Sequence, residues 1–177
     1  DVLERAAVKA LGKPKAGHWI LGVASPYVFY THQSLAPEKR KKLDAVVTAA
    51  LLAQPEIDRV YPPKTAGATC PPETDESLDA LVCRSMSPKL PDALFFVTKL
   101  GSFVDTDYDL GKGMSHGGPY LFDRSVPLFV RAPGRVLAGL ALAEPIGFGA
   151  YVRAVARLLD VSPPEGASDA RELVNPR

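Results

Sequence analysis

Residues 105–134 read DTDYDLGKGMSHGGPYLFDRSVPLFVRAPG, placing one histidine, five glycines and four aspartates in thirty positions ahead of an apolar run. A buried structural segment rarely spends so many ionisable and flexible residues together, whereas loops carried on a rigid scaffold are where such residues do chemistry. Working outward towards the C-terminus, residues 126–130 predict a buried strand that ends at Ala132-Pro133-Gly134, and residues 136–143 predict a second. Residues 148–159 predict an amphipathic helix through Val152, Val155, Ala156 and Leu159, and the remaining tail is loop-like.

Outward in the other direction, residues 93–100 carry the strongest strand signal in the chain. Before it, residues 2–11 predict a helix with Leu3, Ala7, Ala10 and Leu11 on one face and Gly12 as its stop. Residues 19–30 are aromatic and β-branched, and predict a strand turned near Ser25-Pro26. His18 and His32 bracket that strand, and a solvent-facing or locally hydrogen-bonded role is favoured for both over metal ligation. Residues 37–54 form the clearest helix, opened by Pro37, with Leu43, Val46, Val47, Ala50 and Leu51 as its apolar stripe. Its first turns, PEKRKK, read as a solvated outer face rather than a phosphate patch, and they oppose the macrodipole. Residues 57–61 predict a short strand, and Thr74 is expected to cap a short helix bearing Leu78, Leu81 and Val82. Helix and strand thus alternate three times, as in a small α+β layer with two helices on one face of a sheet.

Bulk properties narrow the function classes. The chain has 177 residues, a net charge of +1, and 46% hydrophobic against 23% charged residues. That balance gives no electrostatic reason to expect nucleic acid or an anionic membrane as partner. No apolar run reaches the roughly 18 residues of a membrane span. Cys70 and Cys83, thirteen residues apart, are too few for a disulfide framework or a zinc knuckle. A bridge between them and two unpaired thiols both remain open.

Three chemistries compete for the central stretch. Asp105, Asp107 and Asp109 alternate ahead of Gly111 as in a calcium loop, but the glycine is one place late and His116 stands where a bidentate glutamate belongs. The run GKGMSHGG does not fit a phosphate-cradling Walker motif, because Lys112 is followed directly by glycine rather than by Ser or Thr, and by no helix. The third is a metal-ligating histidine. His116 lies between Ser115 and the side-chain-free Gly117-Gly118, where a metal or a bulky anion can approach the backbone.

The segment SHGGPYLFDRSVPLFVRAPG resembles the final metal-ligand segment of the alkaline phosphatase superfamily, closest in type to bacterial zinc alkaline phosphatases related to nucleotide pyrophosphatase/phosphodiesterases. RSMSPKLPDALFFVTKLGSF resembles the strand before that loop, and FGAYVRAVARLLDVSPPEGA resembles the last helix and exit. LDAVVTAALLAQPEIDRVYPP resembles the small accessory layer, so the likeness covers most of the chain. The resemblance implies an α/β fold, with an α+β accessory layer over residues 1–104. Residues 105–177 would be the C-terminal part of an α/β/α sandwich. It implies that His116 is the last zinc-binding histidine, that Gly117, Pro119 and Tyr120 shape the loop with Ser115, and that Asp123 serves loop architecture. Gly118 departs from the serine usual there. Sulfatases of the superfamily place a lysine soon after the histidine, and this sequence has none there.

The family mechanism uses a Ser or Thr nucleophile and two zinc ions about 4 Å apart, held by several Asp and His ligands. Residues 1–100 contain no Asp-x-x-x-His or Asp-His pair to supply that set. The resemblance therefore implies the C-terminal portion of a zinc-dependent phosphate-ester hydrolase, periplasmic or extracellular, acting on small phosphate esters. This portion alone is expected to be inactive, with its nucleophile and other ligands upstream. The alternative is a non-catalytic α+β domain that recognises an anion or a protein partner through its glycine-rich loop.

Overall fold

The computed structural model describes residues 2–31, 34–64, 67–72, 74–90, 93–104, 109, 112–136, 139, 141–167 and 173. They fall into two compact units, Asp1–Arg124 and Ser125–Arg177. In chain order the elements are α1 (Val2–Leu11), β1 (Ile20–Ala24), β2 (Tyr27–Tyr30), α2 (Pro37–Leu52), β3 (Ile57–Tyr61), α3 (Leu78–Ser85), β4 (Ala93–Thr98), α4 (Leu121–Arg124) and α5 (Phe148–Leu158). The class is mixed α+β, and the sheet of the first unit is four-stranded and antiparallel in the order β1-β2-β4-β3.

Strand β4 explains the architecture. Its run ALFFVT is apolar at every position but the last, and its first five residues are buried. A strand buried on both faces needs such a continuous run rather than an alternation. Leu94 and Phe96 join the core built by Leu3 and Ala7 of α1 and Leu43, Val47 and Leu51 of α2. Phe95 and Val97, pointing the other way, pack with Val82 of α3 and Met86. Two helices thus cover one face, as expected, while α3 covers the other.

The first face is closed by polar anchors as well as by burial. The Glu4 carboxylate of α1 accepts the backbone N–H groups of Trp19 (3.2 Å) and Ile20 (2.8 Å), pinning the start of β1 to the helix. Trp19 Nε1 donates to the carbonyl of Gly12 at 2.7 Å, where the helix stops with Gly12 at φ +78°. The turn between β1 and β2 falls at Ser25-Pro26, where the sequence places it. The basic run of α2 is more than solvated surface. Lys39 Nζ lies 4.8 Å from the centre of the Trp19 ring, and the Arg40 guanidinium 4.7 Å from that of Tyr30. These cations shield two buried aromatic faces. Arg40 also pairs with Asp44 at 3.1 Å one turn on. Burial, reinforced by the Asp44 carboxylate, pushes the Tyr30 phenol far above its usual pKa and keeps it neutral.

Three local expectations are corrected. Thr74 is not the cap of α3; Ser77 is, and its hydroxyl accepts from Ala80 N at 3.3 Å. Ser77 N in turn donates to Asp75 Oδ1 at 2.8 Å, and hydrogen bonding from the Ser77 side chain first, then from its backbone, holds the Asp75 carboxyl below its ordinary range. Residues 126–130 form no strand: Val126 is 80% exposed and Phe129 90% exposed, and the described residues of their unit contain no strand to pair with. An apolar run has nothing to gain from an extended ladder unless a partner supplies its hydrogen bonds, and Pro127 removes one donor. Of residues 136–143, those described (136, 139 and 141–143) are irregular, and the others lie outside the described residues.

In the second unit, α5 buries Ala150, Ala154 and Ala156, while Val155 and Leu159 of the expected stripe are exposed. Arg135 donates to the carbonyl of Arg157 at 3.1 Å, placing a cation where the dipole of α5 favours one. Cys70 and Cys83, left open by the sequence, are bridged, with their Cα atoms 5.6 Å apart.

Candidate functional site

The histidine loop leaves the C-terminal end of β4. Its first turn is fixed by Thr98 Oγ1 donating to the carbonyl of Ser102 (2.7 Å) and by Ser102 N donating to that of Lys99 (2.9 Å), with Gly101 at φ +79°. Asp105 and Asp107 of the aspartate cluster lie outside the described residues, as does His32. Asp109 is exposed and faces Lys112 Nζ at 3.4 Å. Residues 112–118 have no regular structure, and Met114 is 87% exposed.

His116 stands in solvent, as do Ser115 and Gly117 beside it. Gly117 has φ +94°, in the left-handed region that a side chain makes costly. Gly118 is set by a different constraint. Its N–H donates to Asp123 Oδ2 at 2.9 Å, and a Cβ built on Gly118 would run into that same oxygen. The serine usual at this position in the resembled family would displace the carboxylate that holds this turn together.

Beyond Gly118 the loop is tied down three times. The Asp123 carboxylate holds Gly118, Arg124 Nε donates to the carbonyl of Pro119 at 2.8 Å, and Tyr120 Oη donates to the carbonyl of Thr98 at 2.6 Å. The Tyr120 ring packs against the cluster of Val82, Met86, Phe95 and Val97. Burial, with the nearby Asp58 carboxylate, raises the pKa of the Tyr120 phenol, so it remains a donor at neutral pH. The single turn of α4 follows, with Asp123 N and Arg124 N both donating to the carbonyl of Tyr120. The chain therefore leaves β4 at Thr98 and returns to the same residue through Tyr120.

The structure brings Gly118, Pro119, Tyr120 and Asp123 into one bonded turn and leaves Ser115, His116 and Gly117 open beside it. The role of Thr98 as the acceptor has no signal in its local sequence, because its partner is 22 residues away. The anchor supplied by Arg124 is likewise invisible to spacing rules.

As a metal site the described residues offer one imidazole. They contain no group of three His, Cys, Asp or Glu side chains placed to hold an ion. The Oδ2 of Asp123 is engaged by Gly118, and His18 lies 3.7 Å from Glu4 in the first-face anchor. An exposed histidine between glycines fits one position of a zinc centre, and a full centre needs further ligands.

A second polar cluster lies on the same side of the sheet as Tyr120. Asp79 Oδ1 of α3 accepts from Arg59 (2.8 Å) and from the Tyr61 hydroxyl (2.6 Å) on β3. Those bonds, from Tyr61 first and then Arg59, hold the Asp79 carboxyl below its usual range. Beside it a shallow groove of about 200 Å³ runs past Tyr61, Lys64, Cys83 and Met86.

Compared with protein-family models, with curated proteins and with solved structures, the chain matches none.

Proposed function

We propose that this chain is the C-terminal portion of a zinc-dependent phosphate-ester hydrolase, of alkaline phosphatase or phosphodiesterase type, and that His116 is one ligand of its metal centre. In this reading residues outside the chain provide the nucleophile and remaining ligands, and residues 105–177 belong to an α/β/α sandwich. The observation that supports it is the contrast around His116: an exposed imidazole followed within eight residues by three fixed anchors. A ligand needs that combination, since a free side chain on a mobile backbone loses affinity to the entropy of ordering it.

Bound zinc would polarise the ester and lower the pKa of the attacking oxygen. The residues of this chain have simpler tasks. His116 presents a ring nitrogen, and Gly117, with nothing near the place a Cβ would take, leaves room for a tetrahedral anion beside the backbone. Tyr120 and Asp123 keep the turn from drifting. The Cys70–Cys83 bridge is compatible with the periplasmic or extracellular location that the resemblance implies.

The test is made on the whole gene product. His116→Ala is expected to lower bound zinc and the hydrolysis of p-nitrophenyl phosphate and its bis-ester by about 100-fold or more. Unchanged metal content and rate in that variant would sink the assignment. The alternative, a non-catalytic binding domain, draws on the first unit having its own core on both sheet faces. It predicts a gene product without zinc or esterase activity.

A further inference from the structure

The disulfide has surroundings that a simple staple does not need. Lys64 Nζ lies 3.0 Å from Cys70 Sγ and 2.9 Å from the carbonyl of Cys83, so a cation sits beside one sulfur of the pair. The other half of the bridge, Cys83, lines the open groove with Tyr61 and Met86, whereas Cys70 does not. The loop that carries Cys70 is also held to α3 independently of the bridge. Arg84 donates to the carbonyls of Pro71 (3.2 Å), Pro72 (2.8 Å) and Asp75 (2.7 Å).

We infer that Cys70–Cys83 is a thiol-exchange site, in which an incoming low-molecular-weight thiol adds to Cys83 and releases Cys70 as a thiolate paired with Lys64. The incoming thiolate forms a new S–S bond to Cys83 Sγ as the Cys70–Cys83 bond breaks. The electron pair of that bond passes to Cys70 Sγ, next to the Lys64 ammonium. No net oxidant is consumed in this step, because the disulfide is exchanged for a mixed disulfide. Exchange is faster the better the leaving thiolate is stabilised and the more accessible the attacked sulfur. The cation beside Cys70 favours Cys70 as the leaving thiolate, and the groove lined by Cys83 and Lys64 offers the incoming thiol an approach to the other half of the bridge. The Arg84 clip keeps the released thiolate near Cys83, so that expulsion of the added thiol closes the bridge again. The inference does not depend on the zinc reading.

The experiment uses the 177-residue chain with excess reduced glutathione, acid quenching, alkylation of free thiols and peptide mass spectrometry. The expected product carries glutathione on Cys83 and the alkyl group on Cys70, in an excess on the order of tenfold over the reverse adduct. Lys64→Met is expected to slow adduct formation about threefold or more and to erode that preference, while Lys64→Arg keeps both. Circular dichroism of each variant checks that the fold is retained. Adduct on Cys70, an even split, no adduct, or a Lys64→Met rate equal to that of the parent would each overturn the inference. The regiochemistry in the unsubstituted chain decides the matter even if a variant fails to fold.

Discussion

The hydroxyl of Tyr120 donates to the carbonyl of Thr98 at 2.6 Å, joining the last residue of the central strand to the end of the loop that leaves it. A loop of some twenty residues is thereby closed at its base, and His116 sits four positions from the closure. Because Thr98 offers a backbone carbonyl, no substitution at that position removes the acceptor, and the contact is controlled from Tyr120 alone.

Tyr120→Phe is therefore expected to keep the ring in its apolar cluster and lose only the hydrogen bond. The cost should be about 1 kcal/mol in urea denaturation of the 177-residue chain. Tyr120→Ala, which also empties the space beside Phe95 and Val97, should cost clearly more. Equal midpoints for Tyr120→Phe and the parent would show that the hydroxyl does not hold the loop.

Gly118 and Asp123 should behave as a coupled pair. Gly118→Ser forces a Cβ against the Asp123 carboxylate that its own N–H engages, and is expected to destabilise by about 1–2 kcal/mol. Asp123→Ala loses the same bond. Once the carboxylate is gone the serine has nothing to strike, so the double variant should be less destabilised than the sum of the two. Simple additivity in the double-mutant cycle would rule out the steric explanation.

Glu4 is expected to matter more than an exposed carboxylate would, since it accepts two backbone donors at the start of β1. Glu4→Ala should cost about 2–3 kcal/mol, and Glu4→Gln less, because the amide oxygen can still accept one of the two bonds. Thermal or denaturant melts of the two variants separate these outcomes; a change near zero for Glu4→Ala would mean that the anchor is not closed in solution.

Acid should expose the Asp79 cluster. The pKa of its carboxyl is depressed in the fold, chiefly by the Tyr61 hydroxyl and then by Arg59. A depressed folded value gives a contribution that is complete above the unfolded value, ordinarily 3.8, and disappears as pH falls through the lower folded one. Stability measured from pH 6 down to pH 2 should thus decline more gently in Asp79→Asn than in the parent, and Tyr61→Phe should fall between them. A parallel decline in all three would exclude this linkage.

Much of the fold can be read locally. The spacing of Leu43, Val47 and Leu51 specifies α2, and all three are buried. The unbroken apolar run of residues 93–98 announces a strand buried on both faces. Thr74 misleads because several hydroxyl residues precede α3 and only the turn made by Asp75 and Ser77 chooses among them. Residues 126–130 mislead for a deeper reason. A strand is completed by a neighbour, and composition alone cannot say whether one is present. The site is divided in the same way: the exposed histidine and its glycines are visible in sequence, and the acceptor that fixes them is not.

By itself, then, the sequence determines α1, α2 and α3, the hairpin and strands of the first unit, and the isolated imidazole in a glycine loop, since each is written in residues a few positions apart; the single turn of α4 it does not announce. Tertiary structure alone decides that β4 lies between β2 and β3, that Cys70 meets Cys83 beside Lys64, and that Asp123 forbids a side chain at Gly118. It also decides that Tyr120 closes the loop on Thr98. These relationships pair groups whose partners are set by packing rather than by period. A hydrogen bond across 22 residues leaves no mark on either stretch of sequence taken alone.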